Sequence, residues 1–237
     1  MKYACMLLCL LVLAGCKSLD ERTLDTEYSG ADAGYVVIGL GESAGTEYEK
    51  VSLFYKRSLL NSGNLEEYSR FDYPPGWQPL AKPDYRSDKD EGVVLTAKLA
   101  PGEYEFVNFN ATIFRANPNL YGAYRPLIYS APEPFSITFM VSPGVTTYLG
   151  NYQAVASEGQ GPTGFMREGP PIFLLEDRVE RDLAMACKRV PGLFKTVENA
   201  SPKAAWIKRE YFVDEIPPEI LSKQRGRMSL QEILWGG

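Results

Sequence analysis

The sequence predicts a mainly β protein, an antiparallel β-sandwich with one helix in its C-terminal half and irregular aromatic-rich loops. Three observations carry this. Val93, Leu95, Ala97 and Leu99 alternate with Val94, Thr96 and Lys98, and Phe135, Ile137, Phe139 and Val141 alternate with Ser136, Thr138, Met140 and Ser142. That period of two marks half-buried strands. Pro101-Gly102 and Pro143-Gly144 each separate two strand-like runs, a pattern read as two hairpins and hence antiparallel pairing. Finally, the stretch 178–190 shows helical rather than strand spacing.

In chain order, the apolar run 35–40 opens the sandwich and 51–55 follows with a mixed pattern. Strands are expected at 93–99 and 103–109, with Tyr104 and Phe106 on one face, and at 135–141. The run 145–155 places Tyr148, Tyr152 and Ala154 on one face, and 171–175 is a further short strand. Strands with one apolar face each must cover that face, and two packed sheets do so. The helix has Asp177 as its cap, Glu180 as capping-box partner and a stripe of Val179, Leu183, Cys187 and Val190. Lys188 and Arg189 suit its C-terminal dipole, and Pro191-Gly192 stops it. Cys187, on the stripe, is expected to be buried and unreactive. Beyond it, 206–213 reads as a strand, and 217–222 and 229–235 as short helices.

Two segments, 61–90 and 112–133, show no clean period and read as long loops. The first carries Tyr68, Phe71, Tyr73, Trp77 and Tyr85, the second Phe114, Tyr121, Tyr124 and Tyr129. Such aromatics either roof the sandwich or meet a partner. Trp77, after Pro74-Pro75-Gly76, is expected to cover the core. Tyr121, Tyr124, Arg125 and Tyr129, among Asn117, Asn119 and Gly122, form the candidate binding surface.

Composition narrows the chemistry. Among 237 residues, 45% are hydrophobic and 23% charged, which suits a packed core. The net charge of −5 repels phosphate backbones, so nucleic acid is not an expected partner. Histidine is absent, which removes Ser-His-Asp triads, Cys-His dyads and most zinc sites. Gly41-Glu42-Ser43-Ala44-Gly45 matches the nucleophile-elbow pattern but has no histidine base, so a Gly/Ser turn is expected there. Gly39, Gly41 and Ala44 match a dinucleotide fingerprint, but no βαβ alternation follows. Asp88-Lys89-Asp90-Glu91-Gly92 has the wrong glycine spacing for a calcium loop and reads as a solvated turn. No catalytic residue, metal site or cofactor is expected.

The N-terminus is the most specific signal. Lys2 precedes an apolar run, 4–13, about half the roughly 20 residues a membrane helix needs. The run fits a signal-peptide core. It ends in Leu13-Ala14-Gly15-Cys16, which resembles the bacterial lipobox. That resemblance implies cleavage between Gly15 and Cys16, with a diacylglycerol and an N-acyl chain carried by Cys16. Two or more acyl chains hold a protein firmly on a membrane. Lys17, where inner-membrane retention would place aspartate, implies the outer membrane. Cys5 and Cys9 leave with the signal, so Cys187 has no disulfide partner. Residues 17–33 are polar and small and read as a tether.

The order of parts from Val93 to Leu193 also resembles a group of bacterial envelope lipoproteins of uncharacterised activity. These carry a prealbumin-like or carboxypeptidase-regulatory-like β-sandwich. The residues concerned are Pro101-Gly102-Glu103-Tyr104-Glu105-Phe106, then Pro143-Gly144 and Tyr148-Leu149-Gly150, then Glu180-Arg181-Asp182-Leu183-Ala184 opening a helix. The resemblance implies a fold and an envelope location. The expected organisation is a signal peptide at 1–15, a lipidated tether at 16–33, the sandwich at 34–200 and a C-terminal extension at 201–237. The expected function is a non-catalytic structural or interaction module of the cell envelope, facing periplasm or surface. It is bound to the membrane by lipid and to an envelope protein or glycan by its surface. A glycan-binding module using the aromatic loops and a carboxylate-dependent enzyme are the alternatives.

Overall fold

The computed structural model describes residues 23–24, 28–44, 46, 48–58, 68–75, 82–116, 124–160, 166–190 and 196–220; for 23–24, 114–116, 124–125, 158–160 and 166–168 it describes the backbone alone. Among these residues the chain forms thirteen strands, two helices and a helical segment at 218–220. The strands are β1 (Thr23–Leu24), β2 (Gly34–Ser43), β3 (Lys50–Arg57), β4 (Ser69–Tyr73), β5 (Tyr85–Arg86), β6 (Asp90–Leu99) and β7 (Gly102–Ala116). They continue with β8 (Tyr124–Ser130), β9 (Ile137–Val141), β10 (Thr146–Gln160), β11 (Met166–Glu176), β12 (Val197–Asn199) and β13 (Phe212–Val213). The helices are α1 (Val179–Arg189) and α2 (Ala204–Ile207).

The chain is a mainly β sandwich. An eight-stranded sheet runs β1-β6-β2-β10-β11-β13, with β5 beside β6 and β12 beside β10. A five-stranded sheet runs β4-β3-β7-β8, with β9 also on β7. The five-stranded sheet is antiparallel throughout, as is β2 with β6 and β10 with β11. The larger sheet also contains parallel neighbours, among them β2 with β10.

The parallel pair follows from what the two Pro-Gly sequences do. The expected hairpins are not formed: β6 and β7 lie in different sheets, as do β9 and β10. Each Pro-Gly is a corner that carries the chain across the core. A proline at the first central position favours type I or II turns, whose twist splays flanking strands, whereas tight hairpins use the mirror types. Alternation alone does not separate the two outcomes, because both bury the same face. The corners sit side by side, with Gly102 paired to Val141. Gly144, at φ +68°, donates its N–H to Ala33, and Arg57 bonds the Pro101 carbonyl at 2.8 Å.

The core follows the predicted alternation. Val93, Leu95, Ala97 and Leu99, and Phe135, Ile137, Phe139 and Val141, all point into it. Two of the register shifts change which residues face the core. In β7 the register shift opposite Phe54 and Tyr55 lets Tyr104 and Phe106 share a face with Phe109, Ala111 and Ile113. Asn108 stabilises it, its Oδ1 accepting from the N–H groups of Phe109 and Ala131. In β10 a second shift lies between Tyr148 and Asn151. It separates Tyr148, on the outer face, from Tyr152 and Ala154 in the core, where simple alternation placed all three together.

Rings fill much of the interior. Tyr55 stacks on Phe71 at 4.8 Å, and Phe109 meets Phe173 at 4.9 Å. The first aromatic segment is not all loop: Phe71 and Tyr73 lie in β4 and are buried in the core, whereas Tyr85 lies in β5 and is buried on the outer face under α1; Trp77 lies outside the described residues. The second segment is strand rather than loop over much of its length. β7 continues to Ala116 and returns as β8, paired from Asn110 to Ala116. The run 206–213 is not one strand: α2 precedes the two-residue β13, with Tyr211 and Phe212 in the core. Residues 218–220 are helical, and the expected helix at 229–235 lies outside the described residues.

The helix matches its predicted span but is rotated. Asp182 and Ala186 sit against the sheet, flanked by Val179, Leu183 and Met185, and Cys187 is exposed. The expected burial of Cys187 is therefore overturned. The sheet offers donors for Asp182, and satisfying a buried carboxylate outweighs covering one thiol. Asp177 caps from one residue further out, accepting from the Val179 N–H at 3.2 Å. Cys187 is accordingly expected to react with a thiol reagent equally fast in native and urea-unfolded protein; strong native protection would contradict the helix orientation.

Candidate functional site

The outer face of the larger sheet carries a polar cluster beneath α1. The Asp182 carboxylate has no solvent exposure. Its Oδ2 accepts from the Tyr148 hydroxyl at 2.7 Å and the Asn151 amide at 3.1 Å. Its Oδ1 accepts from Arg181 Nε at 2.8 Å. The Asn151 and Gln153 amides donate to the Tyr85 hydroxyl at 3.1 and 2.5 Å, and Gln153 also donates to Asn151 Oδ1. The Arg181 guanidinium lies 3.8 Å from the Tyr85 ring centroid and 3.6 Å from the Asp90 carboxylate. The Arg178 N–H donates to the Tyr148 hydroxyl at 3.2 Å, tying the start of α1 to β10. At the other end, Arg189 bonds Asp84 at 2.9 Å and the Val94 carbonyl.

Two glycines make room for this cluster. A Cβ on Gly39 would lie 1.8 Å from Asn151 Nδ2 and 2.6 Å from Asp182 Oδ2. Gly150 adopts φ +93°, which L side chains rarely reach, and its bulge brings Tyr148 and Asn151 onto one face. The dinucleotide-like glycines 39 and 41 thus lie inside β2, as an approach surface for side chains rather than a phosphate turn. Gly41 to Ser43 of the elbow-like sequence also lie in β2, and Ser43 is buried. In the acidic run, Asp88 and Lys89 form the exposed turn, whereas Asp90 to Gly92 already belong to β6.

Burial pushes the Tyr148 phenol well above its ordinary pKa, and Asp182 adds to this. Burial likewise raises Tyr85, against the lowering effect of Asn151, Arg181 and Gln153. Tyr73 is raised by burial and by its 2.7 Å bond to Glu91, which Arg86 also grips at 2.6 Å. These phenols remain neutral donors across the physiological range. Both oxygens of Asp182 are engaged, so the cluster is arranged to hold α1 on the sheet. Beside it, an open depression of about 430 Å³ is lined by Asp177, Arg178, Val179, Glu180 and Arg181, charges of both signs.

A second feature lies at the end of the sandwich opposite the corners. The connection from β2 to β3 closes that rim: Glu49 N–H bonds the Thr112 carbonyl, Thr46 Oγ1 accepts from Ala156 N–H, and Tyr48 bonds the Gly169 carbonyl at 2.7 Å. Past these residues the β7–β8 and β10–β11 hairpins continue as paired arms, to Ala116 and Gln160. At the base of one arm, Leu127 is 39% and Ile128 53% exposed.

The candidate surface falls on this arm. Tyr129 is half-buried against the core, so it is not an open platform. Tyr124 and Arg125 pair with Ala116 and Arg115, but their side chains lie outside the described residues, as does Tyr121. Gly15 and Cys16 also lie outside them. Among the described residues, no group of acidic or cysteine side chains is placed to hold a metal ion, and no helix is long and apolar enough to cross a membrane. The Asp182 cluster was missed in the sequence; glycines inside a strand and an aspartate within a helix's apolar pattern were its available signals.

No family model matches the chain, and no curated protein matches it. Among solved structures, a leucine-rich repeat protein from Bacteroides thetaiotaomicron is similar at 11% identity and a TM-score of 0.28. The match covers 53% of this chain and 14% of that one, and a likeness this slight carries no argument.

The raised phenols give a pH dependence. Their stability contribution is fully present below pH 10.0, the ordinary phenol value, and is lost as pH rises from there through the raised native values. In an alkaline titration followed by phenolate absorbance, Tyr73, Tyr85 and Tyr148 should ionise only together with unfolding. Smooth ionisation of all described tyrosines near pH 10.0 in folded protein would show that the cluster is open to water.

Proposed function

We propose that this chain is a lipid-anchored protein of the bacterial cell envelope that acts as a non-catalytic interaction module, gripping a protein partner with its two hairpin arms. The observation that carries this is the exposure of Leu127 and Ile128 on the edge strand β8, where the β7–β8 hairpin continues beyond the β2–β3 connection. Exposed apolar side chains on an edge strand suit the core of a protein interface, and the strand's edge offers backbone groups for pairing. The aliphatic character of these two residues favours a protein over a sugar, which would stack on open aromatic faces. The envelope location rests on the lipobox-like Leu13-Ala14-Gly15-Cys16 and on the resemblance to envelope lipoproteins; the net charge of −5 fits a partner other than nucleic acid.

A photocrosslinking residue placed at Ile128 should give a discrete adduct with an envelope protein, and one at exposed Glu198 on β12 should not. Cys16→Ser should move the protein out of the membrane fraction and abolish the adduct. Adducts at neither position, or equally at both, would contradict the arm as the gripping surface. Unchanged membrane fractionation of Cys16→Ser would contradict the anchor.

A further inference from the structure

We infer that the β1 edge of the eight-stranded sheet faces the lipid bilayer, held there by a short leash; this rests on Cys16 carrying the lipid, as proposed above. Thr23 and Leu24 pair in parallel with Thr96 and Ala97 of β6. The chain is therefore fixed to the sandwich seven residues after Cys16, well before β2 begins at Gly34. Fully extended, that stretch spans at most about 25 Å. Fixed first at Gly34, the chain could reach about 60 Å, enough to let the sandwich turn any side to the membrane. With β1 docked it cannot. The sheet path from β1 to β13 crosses six strands, roughly 24 Å at the usual spacing. Bringing the β13 edge down to the lipid would use nearly the whole leash merely to cross the sheet.

The same placement keeps the arms clear. Thr96 and Ala97 lie in the half of β6 next to the Pro101 corner, and the arms leave from the opposite end. A lipid surface at the β1 edge therefore leaves Leu127 and Ile128 free to meet a protein.

The test uses the acylated full-length mature chain in vesicles of phosphatidylethanolamine and phosphatidylglycerol containing an acceptor-labelled lipid. In a Cys187→Ser background, a donor dye is attached at Lys98→Cys, one residue beyond the β1 pairing, or at Glu210→Cys, exposed just ahead of β13. Energy transfer to the lipid should be roughly twofold or more stronger from position 98, given the width of the sheet. Leu24→Pro, which removes a strand N–H from β1, should shrink that difference while flotation with vesicles persists. Equal or reversed transfer in protein that floats overturns the inference and leaves the anchor standing. Protein that fails to float, behaving as Cys16→Ser does, overturns the anchor and the orientation with it.

Discussion

A carboxylate without solvent contact sets the terms for one whole face of this protein. Removing an ion from water costs several kcal/mol, and the cost is offset only where good donors meet it. Asp182 has three, from Tyr148, Asn151 and Arg181. The positions of Tyr148 and Asn151 on β10 fix the rotation of α1, which is why Ala186 is buried and Cys187 is not. It also fixes the backbone below. Gly39 has to lack a side chain, and Gly150 has to take a left-handed conformation so that residues 148 and 151 face the same way.

The inner face obeys a different rule. Between the sheets the interaction is apolar and non-directional, and large rings fill the space. Tyr55, Phe71, Phe106 and Phe139 pack at one end, and Phe109, Phe135, Phe173 and Phe212 at the other. The Pro-Gly corners are what let two strands adjacent in sequence face each other across this core. The C-terminal segment closes it: Arg209 bonds the Pro134 carbonyl at 2.8 Å, Tyr211 bonds the Glu133 carbonyl at 2.6 Å, and β13 pairs with β11.

Much of the inner face could be read from the sequence, because a period of two survives wherever only one sheet face is apolar. Residues 93–99 and 135–141 are of that kind. The outer face was harder. β2 is buried on both sides, since α1 covers it, and its run Val36-Val37-Ile38 therefore shows no alternation. Simple alternation puts Tyr148 and Tyr152 on one face because a bulge leaves no mark in a pattern of apolar residues, although Gly150 between them signals it. The helix span was legible from its stops, but its orientation depended on partners distant in sequence: Tyr148 is 34 residues from Asp182. The hairpin of β7 and β8 was hidden for a related reason. Its sequence, with Pro126 inside β8 and Asn117-Pro118-Asn119 between the strands, shows no regular alternation.

The aromatic core joins the two sheets, and the polar cluster fastens α1 to the outer face of the larger one. The claim on which this rests most heavily is that Asp182 and Tyr148 act as a unit. A double-mutant cycle with Asp182→Asn and Tyr148→Phe, measured by urea unfolding, tests it directly. A coupling of about 1–3 kcal/mol between the two changes is expected for a buried charged hydrogen bond. Additivity within about 0.5 kcal/mol would mean that α1 is held by its apolar contacts alone, and that the carboxylate does not organise this face.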